Sequence, residues 1–125
     1  MWNVITNLRP ILEDWPKLRG TMQKVLIDTF IVPEESKSKF LDAVRESASF
    51  IRTLPGYVEG FVHEKTDGDG PYSVITTAAW ENEDAFKNAK GLAGEEFQKR
   101  AFNPQEIMKA LKVKIERAVY SRSPY

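Results

Sequence analysis

The chain has 125 residues, 42% of them hydrophobic, with 18 basic and 18 acidic side chains and a formal net charge of zero. That length suits one domain with enough apolar content for a core. The balanced charge does not mark a nucleic-acid binder. The absence of cysteine excludes disulfides and a thiol nucleophile. No apolar run nears the roughly 20 residues needed to cross a membrane. The start, Met1-Trp2-Asn3-Val4, lacks the basic and apolar regions of a secretory leader, so a cytoplasmic protein is expected.

Residues 1–21 stand apart as an N-terminal extension, and the domain proper is expected over 22–125. Within the extension Trp2, Ile5, Leu8, Ile11 or Leu12, and Trp15 recur every three or four residues, interrupted by Pro10 and Pro16. The spacing predicts a short amphipathic helix. It could pack on the domain, dock on a partner subunit, or be an appended segment. Two tryptophans on a loose tail would be unusual, which favours docking.

Lys24 to Val32 is dense in β-branched and aromatic residues and reads as a strand. Pro33 ends it and suits the first turn of a helix, with Glu34 and Glu35 at the positive end of the dipole. Phe40, Val44, Ala48, Ile51 and Leu54 form one helical stripe. Leu54-Pro55-Gly56 stops that helix. A hairpin follows: Tyr57 to Lys65 and Tyr72 to Trp80 flank Thr66-Asp67-Gly68-Asp69-Gly70-Pro71. The aspartates hint at a calcium loop, but the further ligand spacing is missing, so the segment reads as a turn. Asn82 caps a second helix, with Phe86, Ala89, Ala93, Phe97 and Ala101 inward. Gly91 and Gly94 predict a kink or break in it. Asn103-Pro104 opens a short extra helix over Gln105 to Leu111. Lys112 to Ser121 alternates as a last, half-exposed or edge strand, with Arg117 interrupting its apolar face.

The order is β-α-β-β-α-β, the split βαβ arrangement of an α+β, ferredoxin-like fold with a four-stranded antiparallel sheet. Helices can cover only one sheet face. The other presents an apolar set from Val25 to Val32, which predicts a homodimer closed by pairing the two open sheets about a twofold axis.

Val25-Leu26-Ile27-Asp28-Thr29-Phe30-Ile31-Val32-Pro33 with Phe40-Leu41 resembles the start of antibiotic biosynthesis monooxygenase domains. Leu54-Pro55-Gly56-Tyr57-Val58-Glu59-Gly60 is similar to their helix-to-strand turn. Ala79-Trp80-Glu81-Asn82-Glu83-Asp84-Ala85-Phe86 resembles their third strand and the helix after it. The resemblance spans Met22 to about Phe102, with Lys112 to Ser121 fitting the final strand. It implies a dimeric α/β barrel. In heme-degrading members it implies an asparagine on strand one, and a tryptophan and a histidine near the second helix. Here Asp28, Ala89 and Lys99 stand near those places, and no histidine lies in the second helix. Heme degradation is therefore not expected.

The resemblance then implies a cofactor-independent monooxygenase acting on an aromatic, quinol-like or polyketide-like small molecule. Such chemistry needs a base, a dry pocket and a polarising donor. Asp28 shares a strand face with Leu26 and Phe30 if the strand is regular. A carboxylate among apolar neighbours needs a raised pKa or a dedicated partner, and Arg117 could be that partner. His63 is the only histidine, of the type that titrates near neutrality. The plainer reading puts it on the open face of a hairpin strand, and that reading is favoured. Asp28 and His63 are thus the candidate catalytic residues. Trp80, Tyr57, Tyr72 and Phe30 are the candidates to line a substrate pocket, although Trp80 also fits plain core packing. One histidine and no cysteine exclude an ordinary zinc site within one chain. G-x-S-x-G, P-loop and dinucleotide motifs are missing, and no cofactor is expected. The basic C-terminal end, with Lys109, Lys112, Lys114, Arg117 and Arg122, reads as a solvated face. The competing function is a non-catalytic dimeric module that binds a small ligand or a partner protein. That reading predicts a filled core and shallow grooves only.

Overall fold

The structure, a computed structural model, describes residues 22–123. The helix expected upstream of Met22 lies outside the described residues. The elements are β1 (Lys24–Ile31), α1 (Lys37–Ile51), β2 (Tyr57–Glu64), β3 (Val74–Trp80), α2 (Glu83–Lys99), α3 (Pro104–Ala110) and β4 (Lys114–Ser121). The four strands form one antiparallel sheet in the order β2-β3-β1-β4. The ferredoxin-like α+β fold read from the sequence is the observed one, and β4 is an edge strand. No helix among the described residues is long and apolar enough to cross a membrane.

Local chemistry explains the boundaries. Pro33 does not open α1 directly. A 3₁₀ turn, Glu34–Ser36, intervenes, and the Ser36 hydroxyl donates to the Leu111 carbonyl at 2.9 Å. Gly56 ends the α1–β2 connection at φ +82°, and a Cβ there would lie 2.4 Å from the Ala85 Cβ. Only glycine permits both the dihedral and the approach. In the hairpin loop the Lys65 ammonium donates to the Asp69 and Gly70 carbonyls at 2.9 and 2.8 Å.

The helix α2 corrects one expectation. It runs unbroken through Gly91 and Gly94. Asn82 caps it by accepting the Ala85 N–H at 2.8 Å, and Phe86, Ala89, Leu92 and Ala93 bury one side. Each glycine costs about 1 kcal/mol relative to alanine, which the packed face and the cap outweigh.

The core is split. One cluster, Phe30, Phe40, Val74 and Val113, sits at the Phe30 end of β1. A second, Leu54, Trp80 and Ala89, sits at the other end, where Trp80 pairs with Lys24. Between them the middle of the sheet is less filled.

Candidate functional site

Over that middle stretch, between sheet and helices, lies a cavity of about 200 Å³. Leu26 and Asp28 of β1, Thr76 and Ala78 of β3, and Arg117 of β4 form its floor, with Phe40, Val44 and Ile51 of α1 as its roof. The floor follows from register: Asp28 is paired with Thr76 on one side and Arg117 on the other, and Leu26 with Ala78. Period-two alternation puts all of them on the helix-covered face.

Among the described residues Asp28 is the one polar or charged residue that is buried, at 6% exposed. It is held by Arg117, whose Nε donates to Oδ1 and whose Nη2 donates to Oδ2, both at 2.8 Å. This fork-to-fork geometry is the strongest pairing available to a carboxylate. The partner suggested by the strand alternation is thus the observed one. The hydrogen bond to Asp28 raises the Arg117 pKa further, against the opposing pull of burial, so the guanidinium stays charged. The pair is lopsided: the Arg117 side chain is 59% exposed, that of Asp28 only 8%.

The other candidates fall in different places. Phe30 is a cavity wall and packs edge-to-face on Phe40, with centroids 4.8 Å apart. Tyr57 lines the cavity and meets Trp80 edge-to-face at 5.4 Å. Trp80 is buried in the second cluster and borders an outer groove rather than the inner cavity. Tyr72 lines neither space, and its hydroxyl donates to the Glu116 carboxylate. That bond raises the Tyr72 pKa. His63 is exposed and paired with Ile75, on the open side of the sheet. A register shift between Tyr57 and Glu59 puts it there. The bulge flips the strand's alternation, so Gly60 and Val62, not Phe61 and His63, follow Tyr57 onto the helix side. Asp28 and His63 are therefore not brought together within one chain.

Sequence reasoning missed Gly60. A Cβ on it would lie 2.5 Å from the Tyr57 hydroxyl. The glycine lets the tyrosine lie flat along its own strand and reach the cavity. A glycine inside a strand is the signal for such a close approach. Thr76 and Ser47, also in the lining, carried no such signal. Among the described residues no cluster of three or more His, Cys, Asp or Glu could hold a metal.

A second, outer groove of about 890 Å³ runs along α2 and α3. Leu26, Ala78 and Arg117 belong to both.

Comparison with known proteins bears on this arrangement. The sequence profile described as antibiotic biosynthesis monooxygenase matches residues 24–99, well over half of the chain. Among solved structures, SnoaB, a cofactor-independent oxygenase from Streptomyces nogalater, superposes with a TM-score of 0.64 at 21% identity, covering 83% of this chain and 96% of its own. A Deinococcus radiodurans protein described as a candidate antibiotic biosynthesis monooxygenase gives 0.64 at 17% identity, covering 82% and 94%. A dimeric Bacteroides fragilis protein of unknown function with a ferredoxin-like fold gives 0.54 at 14% identity, covering 80% and 96%. At these identities the likeness is one of fold. No curated protein matches the sequence.

Proposed function

The chain belongs to the antibiotic biosynthesis monooxygenase family, and from that premise we propose that it oxygenates a small aromatic molecule of the phenol or quinol type without a bound cofactor. The observation that carries this is the cavity: a mainly apolar pocket with one buried carboxylate, Asp28, bound to the Arg117 guanidinium on its floor, and with Arg52 at its α1 side. A purely structural module would not need an unfilled space at the centre of its sheet, nor a buried charge within it.

The division of labour follows from donor and acceptor capacity. A carboxylate has about four lone-pair positions, and Arg117 takes one on each Asp28 oxygen. The free positions accept the hydroxyl proton of a phenolic substrate. Arg117 donates to the phenolate oxygen that results, stabilising charge where it develops. The electron-rich ring reduces dioxygen, and a carbon–oxygen bond forms at a ring carbon bearing hydrogen. Loss of that hydrogen with the distal oxygen gives a quinone and water. One phenol and one dioxygen thus yield one quinone and one water. His63 has no part in this scheme.

The test is oxygen uptake with a panel of phenols and quinols, in chelator and without flavin. Uptake matched to quinone formed is expected, and Asp28→Asn should abolish most of it. A panel giving no uptake above the protein-free rate would overturn the proposal.

The same reading includes a homodimer. The open face carries Phe61, Ile75 and Tyr120, at 54%, 38% and 53% exposed, and pairing two such faces would remove these apolar side chains from water. Light scattering should give twice the 14.3 kDa chain mass at micromolar concentration. A single-chain mass would remove the dimer.

A further inference from the structure

The sheet is not covered evenly on its helix side. Asp28, Phe30, Val74 and Trp80 of the two central strands are buried there. Ile115 and Val119 of β4 are paired with Phe30 and Leu26 and so share that side. They are nonetheless 39% and 48% exposed. The edge strand β4 thus reaches beyond the helices, and its apolar flank forms one wall of the outer groove, with Phe86 and Phe97 of α2 in the lining as well.

The chain enters the sheet beside this flank. The Arg122 N–H donates to the Gln23 carbonyl at 2.8 Å, and the Lys24 ammonium donates to the Ser121 hydroxyl at 2.6 Å. The residue before β1 is thereby held at the Val119 end of β4. Trp15 lies seven residues before Met22, within a reach of roughly 23 Å. From Val119 to Ile115 the strand covers only about 13 Å. Trp15 can therefore reach any part of the flank, and Leu12, Leu8, Ile5 and Trp2 follow upstream of it.

Two observations favour the helix side over the open side. At the entry point the open side is closed by polar groups. Arg122, just after β4, bonds the side chains of Gln23 and of Glu59 on β2, and so spans the sheet there. The helix side offers Leu26, Val119 and Trp80 instead. The second observation is charge. The charged residues of the groove, Lys90 and Arg117, are both basic, and Lys90 makes no ion pair among the described residues. The upstream segment carries an acidic pair, Glu13 and Asp14, immediately before Trp15, with Arg9, Lys17 and Arg19 set apart from it.

We infer that residues 2–15 dock on the helix-side flank of β4 in their own chain, with their apolar side chains against Ile115 and Val119. The segment withdraws from water an apolar wall that the helices leave bare. It leaves the open face of the sheet to a second copy. The inference stands apart from the oxygenase reading and does not depend on it.

The chain has no cysteine, so an introduced one is unique and can carry a photoactivatable benzophenone maleimide. Val119→Cys and Tyr120→Cys place the label on neighbouring residues that face opposite sides of the sheet. Chance capture of a nearby segment would mark both equally. After irradiation, the label at 119 should be joined to peptides from residues 2–15, in a product of single-chain mass on a denaturing gel. The label at 120 should leave those residues unmarked. Tryptophan fluorescence gives a second readout in the full chain. Trp80 is 4% exposed, so acrylamide quenching reports Trp2 and Trp15. In Ile115→Asp/Val119→Asp the quenched fraction should rise toward two of the three tryptophans, with emission moving to longer wavelength. Circular dichroism confirms that this variant is folded, and the crosslinks decide the matter if it is not. The inference is overturned if the label at 119 captures none of residues 2–15, or if the label at 120 captures them as well. Capture only in products of doubled mass would assign the segment to a second copy and overturn it too. So would unchanged quenching in the folded double variant.

Discussion

Phe40→Ala should cost about 3–5 kcal/mol of stability, a large share of the roughly 5–15 kcal/mol that holds a domain of this size together. Phe40 is 2% exposed and one of the two largest fully buried side chains among the described residues. Its ring stands edge-to-face on Phe30 at an interplanar angle of 62°, beside Val74, which is fully buried. Truncation removes the contacts that join α1 to the Phe30 end of the sheet. The void would merge with the existing cavity, so the surroundings have little to collapse onto. That places the loss toward the upper end of the range. Phe40→Leu, which keeps most of the volume, should lose no more than about 1–2 kcal/mol. Urea unfolding would read both variants, with the midpoint falling and the slope unchanged. A loss under about 1 kcal/mol for the alanine variant would show that α1 is anchored elsewhere.

The elements were legible because each strand and helix writes its own period. β-branched and aromatic density marked β1, alternation marked β4, and the stripe from Phe40 to Leu54 marked α1. What alternation could not give was register. Asp28 and Arg117 are 89 residues apart, and only the pairing of β1 with β4 makes them neighbours. The sequence suggested the pair because each charge interrupts an apolar face. It did not reveal that both would floor a cavity. A cavity is an absence of packing between two clusters, and no local pattern encodes an absence. His63 lies on the open face, the plainer of its two readings, but simple counting along the strand does not give that side. Counted in twos from Tyr57 it shares that residue's face, but the irregularity between Tyr57 and Glu59 adds one residue and turns it away. A bulge leaves little trace in composition, and every residue after it changes side. The continuity of α2 was missed because two glycines weigh heavily in local propensity and lightly against a buried face.

The Asp28–Arg117 pair should respond asymmetrically to the loss of its two halves. Arg117→Met strands a carboxylate that is 8% exposed, and an unpaired buried charge has no replacement solvent. A loss of about 2–3 kcal/mol is expected, below the figure for a fully buried pair because the arginine side is open to water. Asp28→Asn leaves behind a guanidinium that is 59% exposed and can rehydrate. The asparagine oxygen still accepts one of its N–H groups, so this change should cost only about 1 kcal/mol. Activity should not follow that ranking. Asp28→Asn removes the proton acceptor and should lower oxygen uptake by about 10²-fold or more. Arg117→Met removes the donor to the phenolate and should lower it comparably. Melting and uptake measured on both variants separate the possibilities. Full uptake in a folded Asp28→Asn protein would remove Asp28 as the base and leave it a structural partner. Equal destabilisation by the two changes would mean that the arginine, despite its exposure, depends on the carboxylate as much as the carboxylate depends on it. The small stability cost combined with the large activity loss in Asp28→Asn is the signature of a carboxylate retained for chemistry rather than for folding.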